Sequence, residues 1–147
     1  MLPPNDPRHT ADHQLVLPIP HVTDMKAQYF QQYLRPPRTF KFRYWLVVFY
    51  TTWCGVCDEL VDPLREISAK LSHRKTELTL AKHNVSPNEA VAHRYDIKNF
   101  PTIVLFSNEN DVQGNPKYVT YSGERTVAAL SAFIRKETSI LLPEGDL

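Results

Sequence analysis

An apolar run in this sequence leads into a closely spaced pair of cysteines. Positions 45–50 are all apolar or aromatic, and the motif Trp53-Cys54-Gly55-Val56-Cys57 follows after two threonines. A run of this kind is typical of a central strand that is buried on both faces of a parallel sheet. If a helix begins at the cysteines, its unpaired N–H groups and the positive end of its dipole favour the thiolate form of the first cysteine. The segment therefore predicts an α/β fold with a redox-active pair where a strand gives way to a helix.

The cysteine count narrows the chemistry that this pair can perform. Cys54 and Cys57 are the only two cysteines among 147 residues, so they cannot belong to a larger disulfide framework or complete a four-cysteine zinc site. Two alternatives stay open: a structural disulfide or buried inert pair, and half of a zinc site shared between two chains. No histidine has a suitable spacing for the second alternative. We therefore expect no metal and no organic cofactor.

Length and charge predict one globular domain without a membrane segment, and they give no support for binding to nucleic acid or to a membrane surface. A chain of 147 residues, 42% of them apolar, is long enough for one core and too short for two ordinary domains. The formal net charge of +1 gives no basic surplus, and no apolar run approaches the roughly 18 residues of a membrane-spanning helix. We expect a monomeric domain at residues 14–138, a flexible leader at 1–13 and a C-terminal tail at 139–147.

Residue periodicity predicts five strands and four helices. Strands are indicated by β-branched and aromatic runs, and helices by apolar residues that recur every three or four positions. Pro63 is expected to kink the helix after the cysteines, because it lacks an N–H donor and crowds the preceding turn. In chain order the elements are an edge strand at 14–20, a helix at 23–34, a strand at 43–51, a helix at 55–72, a strand at 77–82, a helix at 86–95, strands at 103–106 and 117–121, and a helix at 125–136.

Four motifs in this order make the chain resemble the thioredoxin superfamily, and within it the catalytic domains of protein disulfide isomerases. The resemblance covers residues 15–135. It implies a thioredoxin fold, with a central mixed sheet of about five strands flanked by about four helices, and thiol–disulfide oxidoreductase or isomerase activity on protein disulfides. The motifs are Phe49-Tyr50 before the cysteine motif, Leu80-Ala81-Lys82, Tyr95-Asp96-Ile97-Lys98-Asn99-Phe100-Pro101-Thr102 and Tyr121-Ser122-Gly123-Glu124-Arg125-Thr126.

The resemblance also implies roles for individual residues. Cys54 attacks a substrate disulfide as a thiolate, and Cys57 resolves the resulting mixed disulfide. The peptide bond between Phe100 and Pro101 is expected to be cis and to lie beside the cysteines. The expected substrate-binding residues are Trp53, Gly55, Val56, Phe100 and Pro101.

Proton handling is where the chain first departs from the family. A buried acid six residues before the first cysteine usually relays a proton to or from the second cysteine, and this chain has Val48 there. Lys82 matches the lysine that accompanies that acid, so we expect it to bind water, Asp62 or another carboxylate, and we expect slow resolution of mixed disulfides. Arg125 matches an arginine that helps the second thiol to ionise.

The residues around the second cysteine are the other departure. Val56 stands where isomerases typically have histidine and thioredoxins have proline, and Asp58 and Glu59 follow Cys57. The two carboxylates disfavour a nearby thiolate, and valine offers no charge to stabilise one. We therefore expect the thiol of Cys54 to have a higher pKa than its isomerase counterparts, and the disulfide to be less oxidising than theirs.

Two other functions stay open beside the isomerase-like one. The chain could be a cytosolic thioredoxin-like disulfide reductase, or a client-binding chaperone module with little turnover. The expected partners are cysteine-containing client proteins and an unidentified redox partner. The isomerase-like motifs favour the endoplasmic reticulum lumen, whereas the polar N-terminus does not resemble a signal peptide and the final Glu-Gly-Asp-Leu is not a retention signal. The cytoplasm therefore stays an alternative.

Overall fold

The structure, a computed structural model, describes residues 14–33, 43–71 and 77–143. Within these ranges five strands form one mixed sheet in the order β1-β3-β2-β4-β5. This architecture, with four α-helices, is the predicted thioredoxin fold. The elements are β1 (Val22–Asp24), α1 (Ala27–Tyr33), β2 (Tyr44–Tyr50), a 3₁₀ helix (Val56–Leu60), α2 (Val61–Lys70), β3 (Leu78–Asn84), α3 (Ala90–Arg94), β4 (Thr102–Asn110), β5 (Pro116–Thr120) and α4 (Val127–Thr138).

Strand β2 lies at the centre of the sheet, as its apolar run predicts. It pairs with β3 in parallel and with β4 in the antiparallel direction, and its residues from Trp45 to Tyr50 are all buried. Alternate side chains point into two separate cores, one beneath α2 and α4 and the other beneath α1 and α3. Burial on both faces explains why the run contains no charged position.

The predicted edge strand at 14–20 is wrong. Residues 15–17 form a turn, and the edge strand is β1, which pairs in parallel with β3. Pro18 and Pro20 have no N–H to donate to a sheet. The peptide groups of Leu15 and Leu17 bind charged side chains instead.

The first three helices are shorter than their periodicity predicts. Helix α1 begins at Ala27 rather than at Thr23, because residues 22–24 enter the sheet, and residue 34 lies outside the described ranges. The helix after the cysteines begins in 3₁₀ geometry and becomes α-helical at Val61. Pro63 therefore falls in the first turn of α2, where a missing N–H is tolerated. Helix α3 is also short, since it begins only at Ala90, after a turn at residues 86–87.

The C-terminal half follows the prediction more closely. Strand β4 runs on to Asn110 because it continues along β5 beyond the last residue, Ser107, that pairs with β2. Helix α4 begins after Thr126, whose side chain accepts a hydrogen bond from the N–H of Ala129 at 3.1 Å. Ile140 is buried in the core beneath α2 and α4, so packing continues into the predicted tail. None of the described helices is long and apolar enough to cross a membrane.

Candidate active site

The two cysteines form a disulfide between the end of β2 and the 3₁₀ helix. Their Sγ atoms are bonded at 2.36 Å, and their Cα atoms lie 5.3 Å apart. Cys57 is completely buried in the core beneath α2 and α4, whereas Cys54 is partly exposed at the edge of that core. A thiol that approaches from solvent therefore reaches the sulfur of Cys54 and not that of Cys57.

The sulfur of Cys54 receives a backbone hydrogen bond. The N–H of Cys57 donates to it at 3.2 Å, and this N–H belongs to the first turn of the 3₁₀ helix. The same N–H also donates to the carbonyl oxygen of Cys54 at 3.1 Å, so it is shared between the two acceptors. A donor aimed at this sulfur favours thiolate over thiol once the disulfide is reduced. The predicted helix start at the cysteine pair is confirmed, with 3₁₀ in place of α geometry.

A second loop reaches the cysteine pair from the start of β4. The Phe100–Pro101 peptide bond is cis, as the resemblance implied. The carbonyl oxygen of Phe100 lies 3.7 Å from the Sγ of Cys54. Phe100 is partly buried against both cores, and Pro101 is buried. The structure therefore brings the cysteine pair and the proline loop together.

Exposed apolar side chains flank the accessible sulfur. Trp53 is 77% exposed and Val56 is 48% exposed. Apart from its chain neighbours, Gly55 has no atom within 4 Å of the point where a Cβ would lie, so it faces open space. Together with Phe100, these residues form a surface that we call the apolar rim. The five predicted substrate-binding residues thus belong to the cysteine loop and to the proline loop that meets it, and their role in binding stays a prediction.

Lys82 is fully buried on β3 and has three acceptors. Its Nζ donates to the carbonyl oxygens of Leu15 at 2.5 Å and Leu17 at 2.7 Å, and it lies 3.0 Å from the Oδ1 of Asp24. Val48, the position of the missing acid, is directly opposite Lys82 in the register of β2 and β3 and is completely buried. The lysine therefore does have a carboxylate partner, but that partner is on β1.

Asp24 is the residue of this region that the sequence did not reveal. The pattern of residues 23–34 predicts a helix, whereas β1 places Asp24 beside Lys82 in the parallel register. A strand of three residues is too short to display alternation in the sequence. Asp62, the other expected partner of Lys82, instead pairs with Arg65 at 3.8 Å.

Asp58, which follows the buried cysteine, is also anchored. Its Oδ1 accepts a hydrogen bond from the N–H of Leu15 at 2.8 Å. Burial, followed by the negative charges of Asp24 and Asp58, raises the pKa of Tyr50 to about 12. Tyr50 therefore stays a neutral phenol at neutral pH, and it lies in the same core as Cys57.

His83 follows Lys82 on β3 and points into the other core. Its Nδ1 donates to the carbonyl oxygen of Met25 at 2.7 Å, and its ring packs edge-on against Phe30 and Phe49. Burial lowers its pKa. Within the described ranges, no group of three or more histidine, cysteine or acidic residues is arranged to hold a metal ion.

Arg125 is exposed in the turn between β5 and α4. The turn is held by Tyr121, whose hydroxyl donates to the carbonyl oxygen of Glu124 and whose ring packs against Phe133 at 4.9 Å. Among the described residues, the polar contacts of the two sulfur atoms involve Phe100 and the N–H of Cys57, and not Arg125. The role of this arginine stays a prediction.

Known proteins provide an independent comparison. The thioredoxin family model matches residues 21–136. The chain is 31% identical over 117 residues to protein disulfide isomerase-like 1-4 of Oryza sativa subsp. japonica, a match that covers 80% of this chain and 19% of that protein. It is 30% identical over 95 residues to protein disulfide-isomerase erp38 of Neurospora crassa, covering 65% of this chain and 24% of that protein. The matched part is thus less than two thirds of the length of these relatives.

Solved structures share the same architecture. The Trx4 domain of ERdj5 matches 82% of this chain and 96% of its own length, with a TM-score of 0.64 and 18% identity, which supports the fold. Human ERp44 matches 80% of this chain and 33% of its own length, with a TM-score of 0.65 and 26% identity. Because the family model covers most of the sequence and the observed sheet, cysteine pair and cis-proline loop agree with it, the chain belongs to the thioredoxin family.

Proposed function

We propose that the chain is a thiol–disulfide oxidoreductase domain that acts on disulfides of protein clients. The observation that carries the proposal is the unequal exposure of the two sulfurs. Cys54 is accessible and receives an N–H hydrogen bond, while Cys57 is completely buried next to it. A purely structural disulfide needs neither the accessible sulfur nor the donor aimed at it. Similarity to protein disulfide isomerases supports the same activity.

The reaction uses the two thiols of the reduced form in turn. The thiolate of Cys54 attacks one sulfur of a client disulfide, that S–S bond breaks, and one client thiolate leaves. The thiolate of Cys57 then attacks the Sγ of Cys54, which breaks the mixed disulfide and releases the second client thiolate. Two electrons pass to the client, and the domain is left with the Cys54–Cys57 disulfide. The reverse sequence oxidises a client dithiol, and a redox partner restores the starting state.

The apolar rim is the proposed binding surface for cysteine-containing client segments. Trp53 and Val56 are large apolar side chains exposed to solvent beside the reactive sulfur. Exposed apolar groups that cluster at a reactive centre are typical of a binding surface. Client segments that expose apolar side chains together with a disulfide, as unfolded chains do, fit this surface.

The charge pattern predicts a moderate oxidising power. Val56 supplies no positive charge, and Asp58 and Glu59 place negative charge in the first helical turn. The reduction potential is about −270 mV for thioredoxin and about −180 mV for protein disulfide isomerase. We expect the Cys54–Cys57 disulfide to have a more negative potential than the isomerase value, which makes it less oxidising. The relatives favour the endoplasmic reticulum lumen as the compartment. A potential as low as that of thioredoxin would instead favour the cytosolic reductase.

Trapping of the mixed disulfide tests the proposal. Cys57→Ala removes the resolving thiol. Incubation of this variant with disulfide-bonded insulin, or with a client that contains non-native disulfides, should therefore accumulate mixed disulfides at Cys54 that a reductant cleaves. Cys54→Ala is the matched control and should form none, because its remaining thiol is buried. The wild type should reduce insulin with turnover. Client binding without turnover, and without adducts in Cys57→Ala, would overturn the enzymatic proposal and favour the chaperone module.

A further inference from the structure

A cavity of about 500 Å³ lies at one end of the sheet, beside the edge strand β1. The last residues of three parallel strands line it: Asp24 of β1, Tyr50 of β2 and Asn84 of β3. Of the residues that the structure describes, those of the apolar rim do not contribute to its wall. The cavity is therefore distinct from the proposed client-binding surface.

The connections between the strands diverge at this place. After β2 the chain turns to the face of the sheet that is covered by α2 and α4, whereas after β1 and β3 it turns to the opposite face, covered by α1 and α3. In open α/β sheets, ligands bind outside the carboxyl ends of the strands, where neighbouring connections leave in opposite directions. The topology thus points to this cavity as a ligand site, independently of the side chains in its wall.

The wall of the cavity is mainly apolar. Its apolar residues are Val16, Met25, Ala27 and Pro87, and the ring of Tyr50 adds to them. Sites for small molecules typically have volumes of about 300–1,000 Å³, apolar walls and a few convergent polar groups. The cavity therefore has the size and the character of a site for a small molecule.

Among the described residues, the buried polar side chains of this wall leave one donor without a partner. Lys82 uses its three N–H donors on two carbonyl oxygens and on Asp24, and His83 uses its N–H on the carbonyl oxygen of Met25. The hydroxyl of Tyr50 has no hydrogen bond to any described residue, although Tyr50 is only 2% exposed. An unpaired buried donor costs free energy, which an acceptor on a ligand would recover.

Two side-chain amides add donors to the wall. The Oδ1 of Asn84 accepts from the N–H of Ser86 at 3.0 Å, and the Oδ1 of Asn88 accepts from the N–H of Ala90 at 2.9 Å. Each asparagine thereby turns its oxygen to the backbone and keeps its NH₂ group for another acceptor. The wall therefore offers several donors to a ligand that carries acceptor atoms.

The charges that act on the Tyr50 hydroxyl disfavour an anionic ligand. Burial, followed by the negative charges of Asp24 and Asp58, raises the pKa of Tyr50 to about 12. A carboxylate that accepted a hydrogen bond from this hydroxyl would lie in the field of those two carboxylates. Lys82 has no donor left for it, and the charge of Lys26 is exposed and screened by solvent. The matching acceptor is therefore an uncharged oxygen.

We propose that this cavity binds a small, uncharged and mainly apolar molecule through a carbonyl oxygen, to which the hydroxyl of Tyr50 donates. Aromatic ketones, esters and amides have this chemistry. The cysteines take no part in the contact, so binding does not depend on the proposed oxidoreductase function.

An NMR titration of the amide signals with three probes of similar shape tests the proposal. Benzophenone has a carbonyl acceptor, diphenylmethane lacks it, and para-benzoylbenzoate adds a negative charge. Benzophenone should move the signals of Asp24, Met25 and Asn84 and leave those of Trp53 and Val56 in place. It should bind about fivefold more tightly than diphenylmethane, as expected for one added hydrogen bond. It should also bind more tightly than the anion.

Tyr50→Phe removes the hydroxyl and keeps the ring, so the two uncharged probes should bind this variant equally. Tyr44→Phe makes the same change at the other end of β2 and should retain the preference for benzophenone. If Tyr50→Phe does not fold, the three probes decide the question with the wild type alone. Equal affinities of benzophenone and diphenylmethane for the wild type, or tighter binding of the anion, would overturn the inference. So would signals that move only at Trp53 and Val56, or none that move in a saturated benzophenone solution.

Discussion

The carbonyl oxygen of Phe100 lies 3.7 Å from the Sγ of Cys54, although the two residues are 46 positions apart. The loop before β4 therefore meets the cysteine loop at the reactive sulfur. Trp53 and Val56 extend this junction as exposed apolar surface. The group that is proposed to react and the groups that are proposed to bind clients belong to different side chains, so each can be changed without removing the other.

Trp53→Ala should weaken turnover of protein clients without altering the chemistry of the cysteines. The side chain is 77% exposed, so its removal leaves the core intact. Loss of a large aromatic contact of about 1 kcal/mol would raise the KM for insulin about fivefold. The rate with a small disulfide reagent should stay unchanged. Val112→Ala, which alters a fully exposed residue in the turn between β4 and β5, is the control. If the rate fell equally with insulin and with the small disulfide reagent, the result would contradict a role of Trp53 in client binding.

Val56→His should make the disulfide more oxidising. A positive imidazolium between the two cysteines stabilises the thiolate of the reduced form, and the site is half exposed, so the ring fits without repacking. Equilibration with glutathione measures the effect, and a tenfold change in the equilibrium constant corresponds to about 30 mV. Val112→His adds the same group at a distance and should leave the potential unchanged. An unchanged potential in Val56→His would refute the charge argument.

The central part of the fold can be predicted from the local sequence, whereas the contacts of Lys82 with Asp24 and with the turn at residues 15–17 cannot. A run of six apolar residues identifies β2 because a strand buried on both faces has no polar alternation. The cis bond at Pro101 was expected only through the family resemblance, since most bonds before proline are trans. Asp24 could not be predicted, because a three-residue strand carries no periodic signal. The turn at residues 15–17 depends on contacts of Leu15 with Asp58 and Lys82, which lie 43 and 67 positions further along the chain.

Val48→Glu tests whether an acid at the position opposite Lys82 would be accommodated. All three donors of Lys82 already have acceptors, and Val48 is completely buried. The new carboxylate would therefore be buried without a partner, and the free energy of unfolding should fall by about 3 kcal/mol or more. In an Asp24→Asn background the lysine can turn to the new carboxylate, so the loss should be smaller by about 1 kcal/mol or more.

Urea unfolding of the four proteins in this double-mutant cycle measures the coupling. Val48→Gln introduces a polar group of similar size without a charge, and it should show little coupling to position 24. If the losses in the free energy of unfolding caused by Val48→Glu and by Asp24→Asn simply add in the double variant, then Asp24 and a glutamate at position 48 do not compete for the ammonium group of Lys82.

His83 should make the domain less stable in mild acid. Burial lowers its pKa in the folded state below the ordinary value of 6.5, so the unfolded chain takes up the proton first as pH falls. The neutral ring therefore contributes its full stability above about pH 6.5. Between that pH and the lowered pKa of the folded state, the free energy of unfolding falls by at most about 1.4 kcal/mol per pH unit. His83→Gln retains a donor for the carbonyl of Met25 and removes the titration. Urea unfolding between about pH 8 and pH 5 should therefore give a flatter pH dependence for this variant than for the wild type. Equal slopes for His83→Gln and the wild type would show that His83 does not govern the acid sensitivity.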